Sequence, residues 1–232
     1  MKRERPYHYR FGILLGLILV TLAYSLAAPK GEAAHVVAVA LQAAVLVAAV
    51  ISTRMHRVVI ALAVAAAVIG IAGSVASLLG TDEFDQGSAS IVALPYVVLT
   101  PIAITSGLVK HFRTEGGVTM QMMFGVLCLY LLIGLAFGTT FAFVDEVGTE
   151  PFFTSDDAAR DFIEDDASRD DFLYFSFSTL TTTGYGDLTA ATNVGRSLSI
   201  TEALIGQIYL VTVVALIVSN LRPASRRRRA DA

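Results

Sequence analysis

Asp171-Phe172-Leu173-Tyr174-Phe175-Ser176-Phe177-Ser178-Thr179-Leu180-Thr181-Thr182-Thr183-Gly184-Tyr185-Gly186-Asp187 is the stretch on which the fold turns. Its first half is about ten apolar and aromatic residues, half the length a helix needs to cross a bilayer. A short helix that enters a membrane and returns is tolerated only where its irregular return limb is buried in protein or lines a water-filled cavity. The return limb is Thr181 to Asp187. An extended strand whose carbonyls all face one side needs φ > 0 at alternate positions, which glycine permits. Gly184 and Gly186 supply such positions, Tyr185 between them turns its ring into the protein, and Thr182 adds a hydroxyl at the inner end. Rings of backbone carbonyls built from several copies of such a loop replace the hydration shell of a cation.

Outward from this stretch the chain is apolar. Of 232 residues 55% are hydrophobic and 16% charged, against about 25% charged in an average soluble domain. Six spans are expected, at about Phe11–Ala28, Ala34–Ile51, Val58–Leu79, Ile91–Val109, Met122–Val144 and Leu198–Leu221, the helix of the last starting near Asn193 or Val194. The predicted fold class is an all-α membrane protein with six transmembrane helices and the re-entrant helix and loop between the fifth and sixth. With a cytoplasmic N-terminus, 13 of the Lys and Arg residues fall inside and 4 outside, the bias that sets orientation. Both termini are then cytoplasmic and the location is the cell membrane. Cys128 stands alone, which excludes an intramolecular disulfide, and the histidines at 8, 35, 56 and 111 have no zinc-ligand spacing.

Three domains follow: a four-helix transmembrane domain over 1–118, a pore domain over 119–221, and a short basic tail over 222–232. The pore domain contains an acidic turret at 145–171, with eleven Asp and Glu residues against Arg160 and Arg169. Such a surface attracts cations and belongs outside the membrane. Ser155-Asp156-Asp157 reads as the start of a short external helix with Ala158, Ala159, Phe162 and Ile163 as its apolar stripe. No acid/base pair, nucleophile constellation or phosphate loop appears, so no enzyme is expected.

The run Thr179-Leu180-Thr181-Thr182-Thr183-Gly184-Tyr185-Gly186-Asp187 resembles the signature of bacterial tetrameric potassium channels, and the likeness extends over about Met122 to Leu221. The resemblance implies K+ ions held by the carbonyls of Thr182, Thr183, Gly184 and Tyr185, with Gly186 completing the filter at 182–187 and Thr181 and Asp187 supporting it. No other cofactor is implied. Thr183 departs from the family's usual Val or Ile, which places an extra hydroxyl behind the filter. A family-like proline after the filter is missing, Ala190 and Ala191 standing in that region, which leaves the outer mouth less braced. Gly195-Arg196, Glu202 and Gly206-Gln207 also look like bacterial members. One loop per chain implies a homotetramer. The expected activity is passive, potassium-selective conduction; the alternatives are a weakly selective cation channel and a non-conducting membrane sensor or subunit that retains the loop.

The voltage-gated architecture has this helix count, but the fourth span, Ile91 to Val109, carries no basic residue and two prolines, Pro95 and Pro101. Without charges in the membrane a helix gains almost nothing from the potential. The short tail leaves no room for a ligand-binding domain on this chain, while Arg226, Arg227, Arg228 and Arg229 suit either plain positive-inside anchoring or anionic lipid. No nucleic-acid partner is expected. Two residues are candidates for gating. Gly206 reads either as a site of close helix packing or as a hinge. Glu202, an acidic residue inside a span, needs either a hydrogen-bond partner, with Ser176, Ser178, Thr179 and Thr181 the nearest, or a proton.

Overall fold

The computed structural model describes residues 10–27, 32–52, 57–79, 120–154 and 167–220. The fourth expected span at 91–109, the expected external helix at 155–166 and the basic tail at 222–232 lie outside them. The described elements are six helices: α1 (Arg10–Ala27), α2 (Glu32–Ser52), α3 (Arg57–Leu78), α4 (Met120–Val147), α5 (Arg169–Leu180) and α6 (Asn193–Asn220). These ranges follow the apolar runs of the sequence closely, except that α6 begins five residues before its apolar span. Thr192 explains the early start, because its hydroxyl accepts the Gly195 N–H at 3.0 Å and caps a polar first turn.

Within α4, Met123–Val147 is 25 residues with a mean hydropathy of 2.1, long and apolar enough to cross a membrane. At 1.5 Å per residue it reaches about 37 Å, beyond the roughly 30 Å of a hydrocarbon core. The apolar stretches Phe11–Ala27, Val36–Ile51 and Ile60–Ala76 are shorter. α1 and α3 also turn large apolar side chains outward, Ile13 and Val20 on one, Leu62 and Val68 on the other. Helices that are apolar all round belong in a large core or in lipid.

Among the described residues, two buried clusters join α1, α2, α4 and α5. Phe11, Leu14 and Ile18 of α1 pack against Val45 and Ala49 of α2 and against Cys128 and Leu132 of α4, so the first helix lies along the fourth. A second cluster, built around five phenylalanines with Leu188 and Ala190, joins α4 to α5 and the segments that flank them. Phe141, Phe152, Phe153, Phe172 and Phe175 stand with ring centroids 5.0 to 5.8 Å apart, mostly edge to face.

Candidate functional site

The loop at 182–187 hangs from the end of α5. A helix leaves its last carbonyls without partners, and here the loop's own amides fill them. Thr181 N–H donates to the Phe177 carbonyl at 3.1 Å, Thr182 N–H to Thr179 at 2.9 Å, and Thr183 and Gly184 N–H both to Ser178 at 2.9 and 3.2 Å. Above this hinge φ is positive at Thr182 (57°), Gly184 (55°) and Gly186 (84°). The two glycines are the residues expected there. Thr182 is not, since a β-branched side chain in that region is an outlier worth roughly 1–3 kcal/mol of strain. No propensity signals it. Positive φ at every second position is nevertheless what a strand with all its carbonyls on one side requires, and Thr182 completes the series.

Behind the loop, the hydroxyl of Thr183 lies 2.8 Å from that of Thr181, which itself donates to the Phe177 carbonyl at 2.7 Å. The extra hydroxyl at this departure from the family pattern is therefore tied to the helix end. Asp187 has a structural partner too: Tyr174 OH donates to its carboxylate at 2.6 Å, and Tyr174 stacks on Tyr185 at 6.1 Å. The bond to Asp187, aided by burial, pushes the Tyr174 phenol up to about 12, so the donor keeps its proton through neutral pH and loses it only in strong alkali.

The missing proline does not leave the segment after the loop unbraced. Phe153 and Ala190 pair in an antiparallel bridge, with Thr154 N–H donating to Thr189 at 3.0 Å and Ala191 N–H to Phe152 at 2.7 Å. The Thr154 and Thr189 hydroxyls meet at 2.6 Å, and Arg196 Nε donates to Ala190 at 3.0 Å. The signal for this brace, Phe153-Thr154 opposite Thr189-Ala190, joins threonines 35 positions apart and carries no local pattern. Two carboxylates of the expected turret also serve the fold. Asp145 accepts the Phe152 N–H at 2.7 Å, and Asp171 accepts both the N–H and the hydroxyl of Ser168, at 2.8 and 2.7 Å, at the start of α5.

Glu202 is fully buried where α4, α5 and α6 meet. Of its four expected partners it takes Ser176, at 2.5 Å. One turn on, a Cβ at Gly206 would fall on the Leu180 carbonyl oxygen, the atom to which Tyr130 OH donates at 3.3 Å. Of the two readings of Gly206, this contact supports close packing of α6 against the end of α5. Lower down, Tyr209 stacks on Tyr130 at 5.7 Å and donates to the Val126 carbonyl at 2.6 Å, fixing α6 to α4.

Residues 126–222 match the family model described as an ion channel, a stretch that runs from α4 through the loop and α6. No curated protein and no solved structure matches the chain. The family match supports an ion channel, and with it a membrane location.

Proposed function

We propose that the chain forms a homotetrameric potassium channel that conducts passively through a filter of Thr182, Thr183, Gly184, Tyr185 and Gly186. The observation that carries this reading is the alternation of positive φ at Thr182, Gly184 and Gly186 in a Thr-Thr-Gly-Tyr-Gly-Asp loop. That alternation suits carbonyl oxygens from Thr182 to Tyr185 turned to one side, where K+ would exchange water for them. Thr181 and Asp187 support the loop from behind and from the outer mouth.

Four copies are what this reading requires, and exposure on the single chain supports assembly. Residues 181–186 are exposed on the single chain, Tyr185 at 70%, whereas a carbonyl ring closes only between subunits. Ile200, Leu204, Ile208 and Val211 form an exposed apolar stripe on α6, at helical spacing and on the side away from Glu202 and Gly206. This face suits contact with neighbouring copies and the lining of the inner cavity. In the cell the tetramer sits in the plasma membrane with six crossings per chain, termini inside and the basic tail near anionic lipid. Residues 1–118 surround the pore domain.

Purified protein in planar bilayers under bi-ionic K+ and Na+ conditions tests the reading. A reversal potential that strongly favours K+ is expected, and near-equal permeability would replace it with a weakly selective cation channel. Gly184→Ala should abolish the current, because a Cβ at positive φ costs about 1–2 kcal/mol in each subunit. Current that survives in this variant would place conduction elsewhere.

A further inference from the structure

The contacts around Glu202 require a count of protons. Ser176 Oγ lies 2.7 Å from the Gly134 carbonyl oxygen of α4 and 2.5 Å from Glu202 Oε1. A carbonyl oxygen only accepts, and a serine hydroxyl has one proton to give. Two short oxygen-to-oxygen contacts on one hydroxyl therefore need a second proton. If Ser176 gave its own to an ionised Glu202, the Gly134 oxygen would press on Ser176 with no proton between them. Glu202 Oε2 adds to the difficulty, being buried with no hydrogen-bond partner among the described residues. A buried charge with so little solvation is far more costly than a neutral acid.

We infer that Glu202 is held as an un-ionised carboxylic acid that donates to Ser176, which in turn donates to Gly134, a directed chain that clamps the inner helix to the pore helix and the outer helix. The inference rests on the channel reading for its effect on current. Glu202 then acts as a positioning residue: Ser176 is four residues before Leu180, whose carbonyl abuts Gly206 and receives Tyr130, and the filter loop begins directly after it. The polar groups in contact around Glu202 are the Ser176 hydroxyl from α5 and, behind it, the Gly134 carbonyl from α4, while Tyr130 of α4 gives its proton to the Leu180 carbonyl. On α6 the next turn presents Gly206. Removing the proton reverses the first bond, since Ser176 then donates to the carboxylate and the Gly134 carbonyl loses the Ser176 hydroxyl as a donor.

The sign of the pH response follows. An ionised Glu202 would respond to acid; an un-ionised one responds to alkali. Between about pH 6 and 10, where ordinary Asp and Glu are already ionised, wild-type current should fall several-fold as pH rises. Tyr174 at the outer mouth titrates above that range. Glu202→Gln retains a donor toward Ser176 and has nothing to ionise, so it should conduct like wild type at neutral pH and lose the alkaline fall. Ser176→Ala removes the relay and should lower the thermal stability of the tetramer.

Infrared spectroscopy of the full-length protein reads the proton directly. Among 20 Asp and Glu residues, a carboxylic-acid carbonyl band at neutral pH, shifted by D2O, bleached in alkali and lost in Glu202→Gln, is the expected result. Absence of that band in wild type, or an alkaline fall that persists in Glu202→Gln, overturns the inference. Should Glu202→Gln fail to assemble, the band and its bleaching in wild type still decide. If wild type passes no K+ while the band is present, the channel reading fails and the assignment of the proton stands.

Discussion

At Thr183 a single hydroxyl has a stated donor and acceptor. Thr181 commits its proton to the Phe177 carbonyl at 2.7 Å, so the 2.8 Å contact between the two threonines is a bond donated by Thr183. The family's Val at this position has the same shape and no donor. Thr183→Val therefore isolates the hydroxyl, and Thr181→Val removes its acceptor together with the tie to Phe177. A hydrogen bond of this kind contributes about 0.5–1.5 kcal/mol. Each single variant is expected to lower the temperature at which the proposed tetramer dissociates in K+ and to raise relative Na+ permeability, Thr181→Val the more. The double variant should be no worse than Thr181→Val, the signature of a shared interaction. Strictly additive losses would show that the two hydroxyls act separately. Position 183 shows how far sequence reads at this scale: the departure from the family pattern is visible, but the partner that absorbs it is not. The positive φ of Thr182 is hidden for the same reason, since strain imposed by the whole loop contradicts the residue's own preference.

Among the elements, α1, α2, α3 and α4 are legible as helices because one property, a long apolar run, decides them, and in α4 that run is also long enough to cross a membrane. α5 is legible for the opposite reason, its run being too short to cross. What sequence does not yield is how its ends are held. Asp171 counts as one of eleven carboxylates in the expected turret, yet it accepts two hydrogen bonds from Ser168 and so starts the helix that carries the proposed filter. Salt separates the two roles. Neutralising Asp165 and Asp166 to Asn removes charge from the segment expected outside the membrane, and should lower inward current at low ionic strength with little effect at 1 M, where the Debye length is about 3 Å. Asp171→Ala removes a helix start worth about 1 kcal/mol. Its loss of tetramer stability and current should therefore persist at high salt. If Asp171→Ala recovers at 1 M as fully as the Asp165 and Asp166 variants, its role is electrostatic alone. The brace between Phe153 and Ala190 is of the same kind, a contact between elements that no local pattern announces.

For the whole molecule the question is how the first helices bear on the pore. The expected fourth span has no basic residue, so opening should depend only shallowly on voltage, and a conductance curve as steep as several charges moving per subunit would contradict it. Coupling by contact remains available. α1 lies along α4 through Phe11, Leu14, Ile18, Cys128 and Leu132, and Arg169, the first residue of α5, donates through Nη2 to Gln42 Oε1 of α2 at 3.0 Å. A hydrogen bond to a charged group is worth about 1.5–3 kcal/mol. It ties the start of α5 to α2 of the same chain. The alternative, common to assemblies with exchanged elements, is that each peripheral domain rests on a neighbour. Cross-linking distinguishes them. With Cys128→Ala to remove the native thiol, Gln42→Cys and Arg169→Cys joined by a bifunctional thiol reagent should leave a single protomer on a denaturing gel, with mass spectrometry locating the bridge within one chain. A ladder of dimers to tetramers would mean that the peripheral helices belong to the neighbouring pore. Gln42→Leu supplies the energetic counterpart: it leaves the half-buried Arg169 guanidinium without this acceptor, so the tetramer should dissociate at lower temperature, whereas Gln42→Glu, which keeps an acceptor and adds charge, should not weaken it.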